Sequence, residues 1–283
     1  MGKPMAMNLI KAGHALVVHN RSRAAVDELS AAGAAPAESP ADVAGRVSVV
    51  ITMVPDTPDV ELVLTGPNGV LSTLQRGGVV IDMSSISPAV TKRLAARVAE
   101  RGGSMLDAPV SGGEIGAINA TLSIMVGGDE ATFKRMQPIL AAMGNPERIV
   151  YIGGSGAGQT CKICNQVAIG GALAGVGEAL ALAKKAGVDA GRVRQALLGG
   201  FAASKVLEVH GERMLTGNYK PGFRSRLYQK DLRLATEAAS SNNVAMPGTA
   251  IVAQLINALV ASGGADLDYA ALGTVLFRLA GVD

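Results

Sequence analysis

Strand-like runs crowd the first half of this chain and stop abruptly. Short apolar segments at Ala15–Val18, Val47–Val54, Gly78–Ser84, Ser104–Val110, Leu122–Gly128 and Arg148–Gly153 are rich in valine and isoleucine. They are nearly continuous rather than alternating, the pattern of strands covered on both faces. Helix-start signals lie between them. Ser39-Pro40, Thr57-Pro58 and Ser87-Pro88 each set a capping hydroxyl before a proline suited to the first helical turn. Strands alternating with helices predict an α/β fold built on a doubly wound, mainly parallel sheet.

Beyond about residue 155 the pattern is helical throughout. An Ala/Gly-rich helix is predicted from Ala157 to Ala186, followed by amphipathic segments and no further strand-like run. The expected domains are therefore 1–153, an α/β unit, and 154–283, an all-helical unit that opens with the long helix. Within that helix "VAIGGALAGVGEALALA" (Val167–Ala183) is the most membrane-like stretch. Glu178 interrupts it and Lys184 and Lys185 end it, so it is read as a buried helix and no membrane association is expected.

Composition narrows the function. Hydrophobic residues are 48% of the chain and charged residues 17%, as in well-buried globular proteins. A net charge of +3 with scattered Lys and Arg, 3% aromatics and no Trp gives no footprint for nucleic acid. The N-terminus lacks a basic segment followed by an apolar one, so a cytoplasmic protein is expected. Cys161 and Cys164 form a lone C-x-x-C far from the three histidines, and are read as packing thiols in a reducing compartment, not a metal site.

Four stretches point to chemistry. "MGKPMAMNLIKAG" reads as the helix that follows a dinucleotide-binding turn, with Gly2 in the place of the third glycine of G-x-G-x-x-G. At the end of the next strand, where an Asp or Glu would accept from a ribose 2′-hydroxyl, the chain has Asn20-Arg21-Ser22. An amide, a cation and a hydroxyl suit a 2′-phosphate, so NADP(H) is the preferred cofactor, with NAD(H) possible. "DAPVSGG" places Ser111 beside Gly112 and Gly113, either a carboxylate-holding nest or a plain glycine turn. "GSGAGQTCKICNQ" puts Lys162 and Asn165 three apart on one helix face, and "YQKDL" pairs Lys230 with Asp231. Taken alone, Lys162 reads as a solvated side chain before one held in a cleft for acid or electrostatic duty, and Lys230 with Asp231 reads as a surface salt bridge.

Together, "MGKPMAMNLIKAGH", "NRS", "DAPVSGGEIGAINATLSIMVGG", "GAGQTCKICNQ" and "LYQKDL" resemble the β-hydroxyacid dehydrogenase (3-hydroxyisobutyrate dehydrogenase-like) family over essentially the whole chain. The resemblance implies a Rossmann domain followed by an all-α domain, in homodimers or homotetramers. It makes Lys162 the catalytic lysine, Asn165 a substrate-orienting amide, and Ser111, Gly112 and Gly113 the substrate-carboxylate loop. Val54 and Pro55 would line the cofactor with Asp59 nearby, Ser85 would lie by the nicotinamide ribose, and Lys230 would close over the cofactor. The implied reaction is reduction of a small semialdehyde acid, first tartronate semialdehyde. Substrates of the 3-hydroxyisobutyrate, succinic semialdehyde or glyoxylate type are the alternatives, with a non-catalytic scaffold as the rival class. A helix carrying Phe201, Ala202, Ala203 and Ser204 is expected to line the pocket. The family's glycine-rich opening survives only as Met1-Gly2, so the first strand is expected to be missing and the start to fall at an internal methionine.

Overall fold

A computed structural model describes residues 1–282. The chain forms two compact units, Met1–Lys162 and the remainder from Ile163. In the first unit the strands are β1 (Val17–Val18), β2 (Ala35–Pro36), β3 (Val49–Thr52), β4 (Val79–Asp82), β5 (Ser104–Asp107), β6 (Val110–Ser111), β7 (Leu122–Gly127) and β8 (Gly144–Gly153). The helices among them are α1 (Gly2–Lys11), α2 (Arg23–Ala31), α3 (Pro40–Arg46), α4 (Thr57–Thr65), α5 (Pro88–Glu100), α6 (Gly113–Ile118) and α7 (Glu130–Ala141).

β3, β4 and β5 run parallel in that order, β7 joins antiparallel to β5 and β6, and β8 lies parallel to β7. β1 and β2 pair only with each other, in parallel. Among the described residues no ladder joins this pair to the larger sheet.

Strand residues alternate between two cores. Val79, Ile81, Leu106 and Ile124 face Met5 and Leu9 of α1 and Phe133, Met136 and Leu140 of α7. Val50, Val80 and Met105 face Ala44 of α3, Val60 and Leu64 of α4, and Leu94 and Val98 of α5. Both faces being covered explains why the strands read as continuous apolar runs.

Ser39 and Ser87 cap α3 and α5 as the sequence predicts, accepting from Asp42 N and Val90 N. At α4 the cap moves one residue earlier. Asp56 accepts from Thr57 N at 2.7 Å, which leaves the Thr57 hydroxyl to accept from Ser87 N at 3.2 Å. The run expected as one strand at Ser104–Val110 divides after Asp107, because Pro109 has no N–H with which to continue a ladder.

The second unit is helical. α8 (Ala157–Lys185) crosses the division between the units, so Lys162 belongs with the sheet. It is followed by α9 (Ala190–Leu198), α10 (Lys205–Thr216), α11 (Ser225–Ser241), α12 (Pro247–Leu259) and α13 (Leu272–Ala280). By length and composition α8 could cross a membrane. Here Leu173 and Leu180 of that helix enter a core with Met214, Tyr228, Ile256 and Leu272.

Candidate active site

The nucleotide side is assembled from strand ends. After β1, the Asn20 amide donates to the Ser22 hydroxyl at 2.9 Å and to the Ser22 carbonyl at 3.1 Å, holding a tight turn. Arg21 at the tip is 87% exposed, and its guanidinium lies 3.7 Å from Asp59 in the first turn of α4. β3 and β4 end side by side. Ser84 Oγ accepts from Val54 N at 3.0 Å, which fixes the Val54-Pro55 turn against the loop carrying half-buried Ser85.

α1 begins at Gly2 with no side-chain cap and no acidic residue in its first turn. Its free N–H groups and positive dipole end suit an anion. A Cβ placed on Gly2 would meet Met53 at 3.7 Å, an ordinary contact. The donor set therefore fits a dinucleotide: a bare helix start for pyrophosphate, and an amide, a guanidinium and a hydroxyl for the far ribose. When bound, the nicotinamide supplies or accepts a hydride.

Asp82 and Asp107 are buried carboxyls at the ends of β4 and β5. Asp82 Oδ1 accepts from Thr52 Oγ1 at 2.7 Å and Ser84 N at 3.1 Å. Burial dominates and raises its pKa to about 6, against the pull of those hydrogen bonds and with a contribution from Asp107. A carboxyl raised in the folded state stabilises fully below its unfolded pKa, near 4, and loses that contribution as pH climbs through 6. Asp82→Asn is therefore expected to gain on the parent chain by up to about 3 kcal/mol between pH 4 and pH 7. Urea midpoints across that range check this, and parallel pH profiles for the two proteins would refute it.

Asp107 does more than sit at a strand end. Its Oδ1 accepts from Gly156 N at 2.8 Å and its Oδ2 from Gln159 N at 2.9 Å, so it caps α8 from a distant strand. Burial raises its pKa and those N–H groups oppose the rise. This cap ties the strand that runs into Ser111 to the start of the helix bearing Lys162. Ser111 is half-buried on β6, opposite Ser123 of β7. Gly112 follows at φ +134°, a conformation that needs glycine, and caps α6 with Gly113 in its first turn. From α1, Asn8 donates to the Ala117 carbonyl at 2.7 Å and steadies α6. Lys162, on the second turn of α8, is only 9% exposed. A lysine so buried is not the solvated side chain that the sequence alone allows.

In the helical unit Asn165 donates to Gln166 Oε1 at 2.7 Å, and Gln166 Nε2 donates to Asp231 Oδ2. Asp231 Oδ1 in turn pairs with Lys230 Nζ at 2.8 Å. The fully buried Tyr228 donates its hydroxyl to the Gln166 carbonyl at 2.8 Å. Burial pushes that phenol far above its usual range, so it stays a donor. Half-buried Lys230 and buried Asp231 are thus an enclosed pair joined to Asn165, not a surface salt bridge.

Two expectations are corrected. Phe201, Ala202 and Ala203 lie in the loop between α9 and α10 rather than on a helix. Ser204 caps α10 by accepting from Leu207 N at 3.0 Å, and the Phe201 ring is fully exposed. Of the cysteines, Cys161 is half-buried but Cys164 is exposed, so Cys164 is no packing residue. Asp107, Gln159 and Asn8 are not marked as functional by the sequence alone. The only local signal was a polar residue inside an otherwise apolar, glycine-marked motif.

Comparison with known proteins agrees with this layout. Residues 1–153 match the NAD binding domain of 6-phosphogluconate dehydrogenase. Residues 156–276 match the NAD-binding domain of NADP-dependent 3-hydroxyisobutyrate dehydrogenase. The chain is 50% identical over 280 residues to 2-hydroxy-3-oxopropionate reductase of Escherichia coli, covering 99% of this chain and 95% of that one. It is 36% identical over 276 residues to an NAD-dependent L-serine dehydrogenase of Pseudomonas aeruginosa, covering 95% and 92%. The structure of Mycobacterium tuberculosis 3-hydroxyisobutyrate dehydrogenase with L-serine superposes at a TM-score of 0.89 with 33% identity, covering 98% of this chain and 95% of that one. A Rossmann unit, a helical unit and matches along the full length leave one assignment: the chain belongs to the 3-hydroxyisobutyrate dehydrogenase-like family of NAD(P)-dependent β-hydroxyacid dehydrogenases.

Proposed function

We propose that this protein reduces tartronate semialdehyde to glycerate, with NADP(H) as the preferred cofactor. The observation that carries the reading is the buried Lys162, on a helix whose start is capped by the strand leading to Ser111. The 50% identity to 2-hydroxy-3-oxopropionate reductase supports the choice of substrate.

In this reading the Ser111 hydroxyl and the amides of Gly112 and Gly113 hold the substrate carboxylate. The Lys162 ammonium hydrogen-bonds the aldehyde oxygen. It offsets the charge that grows there as the carbonyl carbon gains hydride, then gives that oxygen a proton to complete the alcohol. Asn165 orients the substrate, and its amide is held by Gln166. Lys230 closes over the cofactor, poised by Asp231. The same reading makes the protein a cytoplasmic homodimer or homotetramer.

Two cofactors and one variant test it. NADPH oxidation with tartronate semialdehyde is expected to exceed NADH oxidation. Arg21→Ala should raise the KM for NADPH about tenfold and leave that for NADH unchanged, since an exposed guanidinium pairs with phosphate and not with a hydroxyl. Equal effects on both cofactors would remove the 2′-phosphate from the argument. Turnover of L-serine or 3-hydroxyisobutyrate instead would reassign the substrate.

A further inference from the structure

Gln159 is a buried polar residue that the mechanism above does not use. It lies in the first turn of α8, 1% exposed, three residues before Lys162 and therefore beside it on the helix surface. Its side-chain amide makes two hydrogen bonds, both to one short loop. Nε2 donates to the Ser84 carbonyl at 2.7 Å, and Oε1 accepts from Ile86 N at 3.0 Å. These backbone groups flank Ser85 on either side. The Gln159 main chain is itself fixed, since its N–H donates to Asp107 Oδ2 at 2.9 Å.

We propose that Gln159 is a positioning residue, whose two-point grip on the Ser84 carbonyl and the Ile86 N–H sets the Ser85 loop in register with the helix face bearing Lys162. The inference rests on the reading of Lys162 as catalytic and of Ser85 as lying by the nicotinamide ribose. A planar amide satisfies a carbonyl and an N–H together only at one distance and tilt, so it transmits position as well as binding energy. Its removal orphans a buried donor and a buried acceptor, and the loop then shifts to recover partners. A misplacement of about 1 Å at a reacting group costs on the order of 100-fold in rate.

Two variants of the full chain test this. With both reactants saturating, Gln159→Leu is expected to lower kcat about 30-fold, while the KM for the semialdehyde stays within about threefold, because the Ser111 loop is untouched. Gln159→Glu keeps the acceptor for Ile86 N but, when ionised, has no donor for Ser84. Protonation restores that donor, so its kcat relative to the parent chain should climb as pH falls from 8 to 5.5. A flat ratio, or kcat within twofold of the parent in both variants, overturns the proposal. If Gln159→Leu does not fold, the glutamate profile decides alone.

Hydrogen exchange gives a readout free of turnover. Amides of residues 85–92 and 158–166 should both exchange faster in folded Gln159→Glu at pH 8 than in the parent. Unchanged protection in both segments overturns the grip, whatever the chain reduces. A parent chain silent toward every semialdehyde with either cofactor, yet showing the coupled exchange, would instead fail the catalytic reading and leave the grip standing.

Discussion

Lys162→Ala should abolish most turnover and little else: kcat down by about 1,000-fold, with the Kd for NADPH changed less than threefold. The expectation follows from where the lysine sits. It is buried, and the start of its helix is held by N–H groups that donate to the Asp107 carboxylate and by the Gln159 amide, which donates to the Ser84 carbonyl. On the proposed mechanism, alanine removes both the charge that balances the developing alkoxide and the proton that completes the alcohol. The nucleotide-side groups, Asn20, Arg21, Ser22 and the Val54 turn, are left as they were. Lys162→Arg separates the two losses. Arginine keeps a positive charge but does not give up a proton at working pH, so it should recover only a small part of the rate. Stopped-flow single turnovers with NADPH and tartronate semialdehyde check both variants. An alanine variant within tenfold of the parent would remove Lys162 from the chemistry.

Gly158→Ala is expected to be the most damaging small substitution in the sheet unit, costing about 3 kcal/mol or more. A Cβ there would lie 2.6 Å from the Asp107 carbonyl oxygen and 2.9 Å from its carboxylate, and would also strike the Met125 carbonyl. Two of these are main-chain atoms of β5 and β7, which cannot swing aside as a flexible side chain would. Relief requires α8 to back away, which breaks the Asp107 cap and displaces Lys162. Stability and turnover should therefore fall together, in contrast to Asp82→Asn, where no atom is added and stability gains on the parent as pH rises. Urea unfolding followed by far-UV circular dichroism measures the first effect, and an unchanged midpoint would refute the crowding.

These two residues were legible in the sequence to different degrees. Lys162 stands out as a lysine in an apolar, Ala/Gly-rich helix, although sequence alone favours a solvated side chain. Gly158 was legible as part of a helix opening, but its reason was not. The reason is the approach of main chain from residues 107 and 125, which no local window contains. Gln159 and Asp107 make the same point. Their hydrogen bonds span 49 to 75 positions of sequence, so neither residue is marked by its neighbours. Lys230 and Asp231 are adjacent in sequence, and their pairing needed no structure. Their link to Gln166 did.

Local order in this protein was determined by the sequence itself. Apolar runs of strand length, hydroxyl-proline caps and an uninterrupted helical second half specify the α/β unit and the all-helical one, because periodicity and capping act within a few residues. Tertiary structure decided what faces what. It placed Asp107 under the start of α8, joined Gln159 to the Ser85 loop and joined the Lys230–Asp231 pair to Gln166. Each of these depends on hydrogen bonds or close packing between segments far apart in the chain, and those partners are chosen only once the strands have aligned and the helices have packed against them.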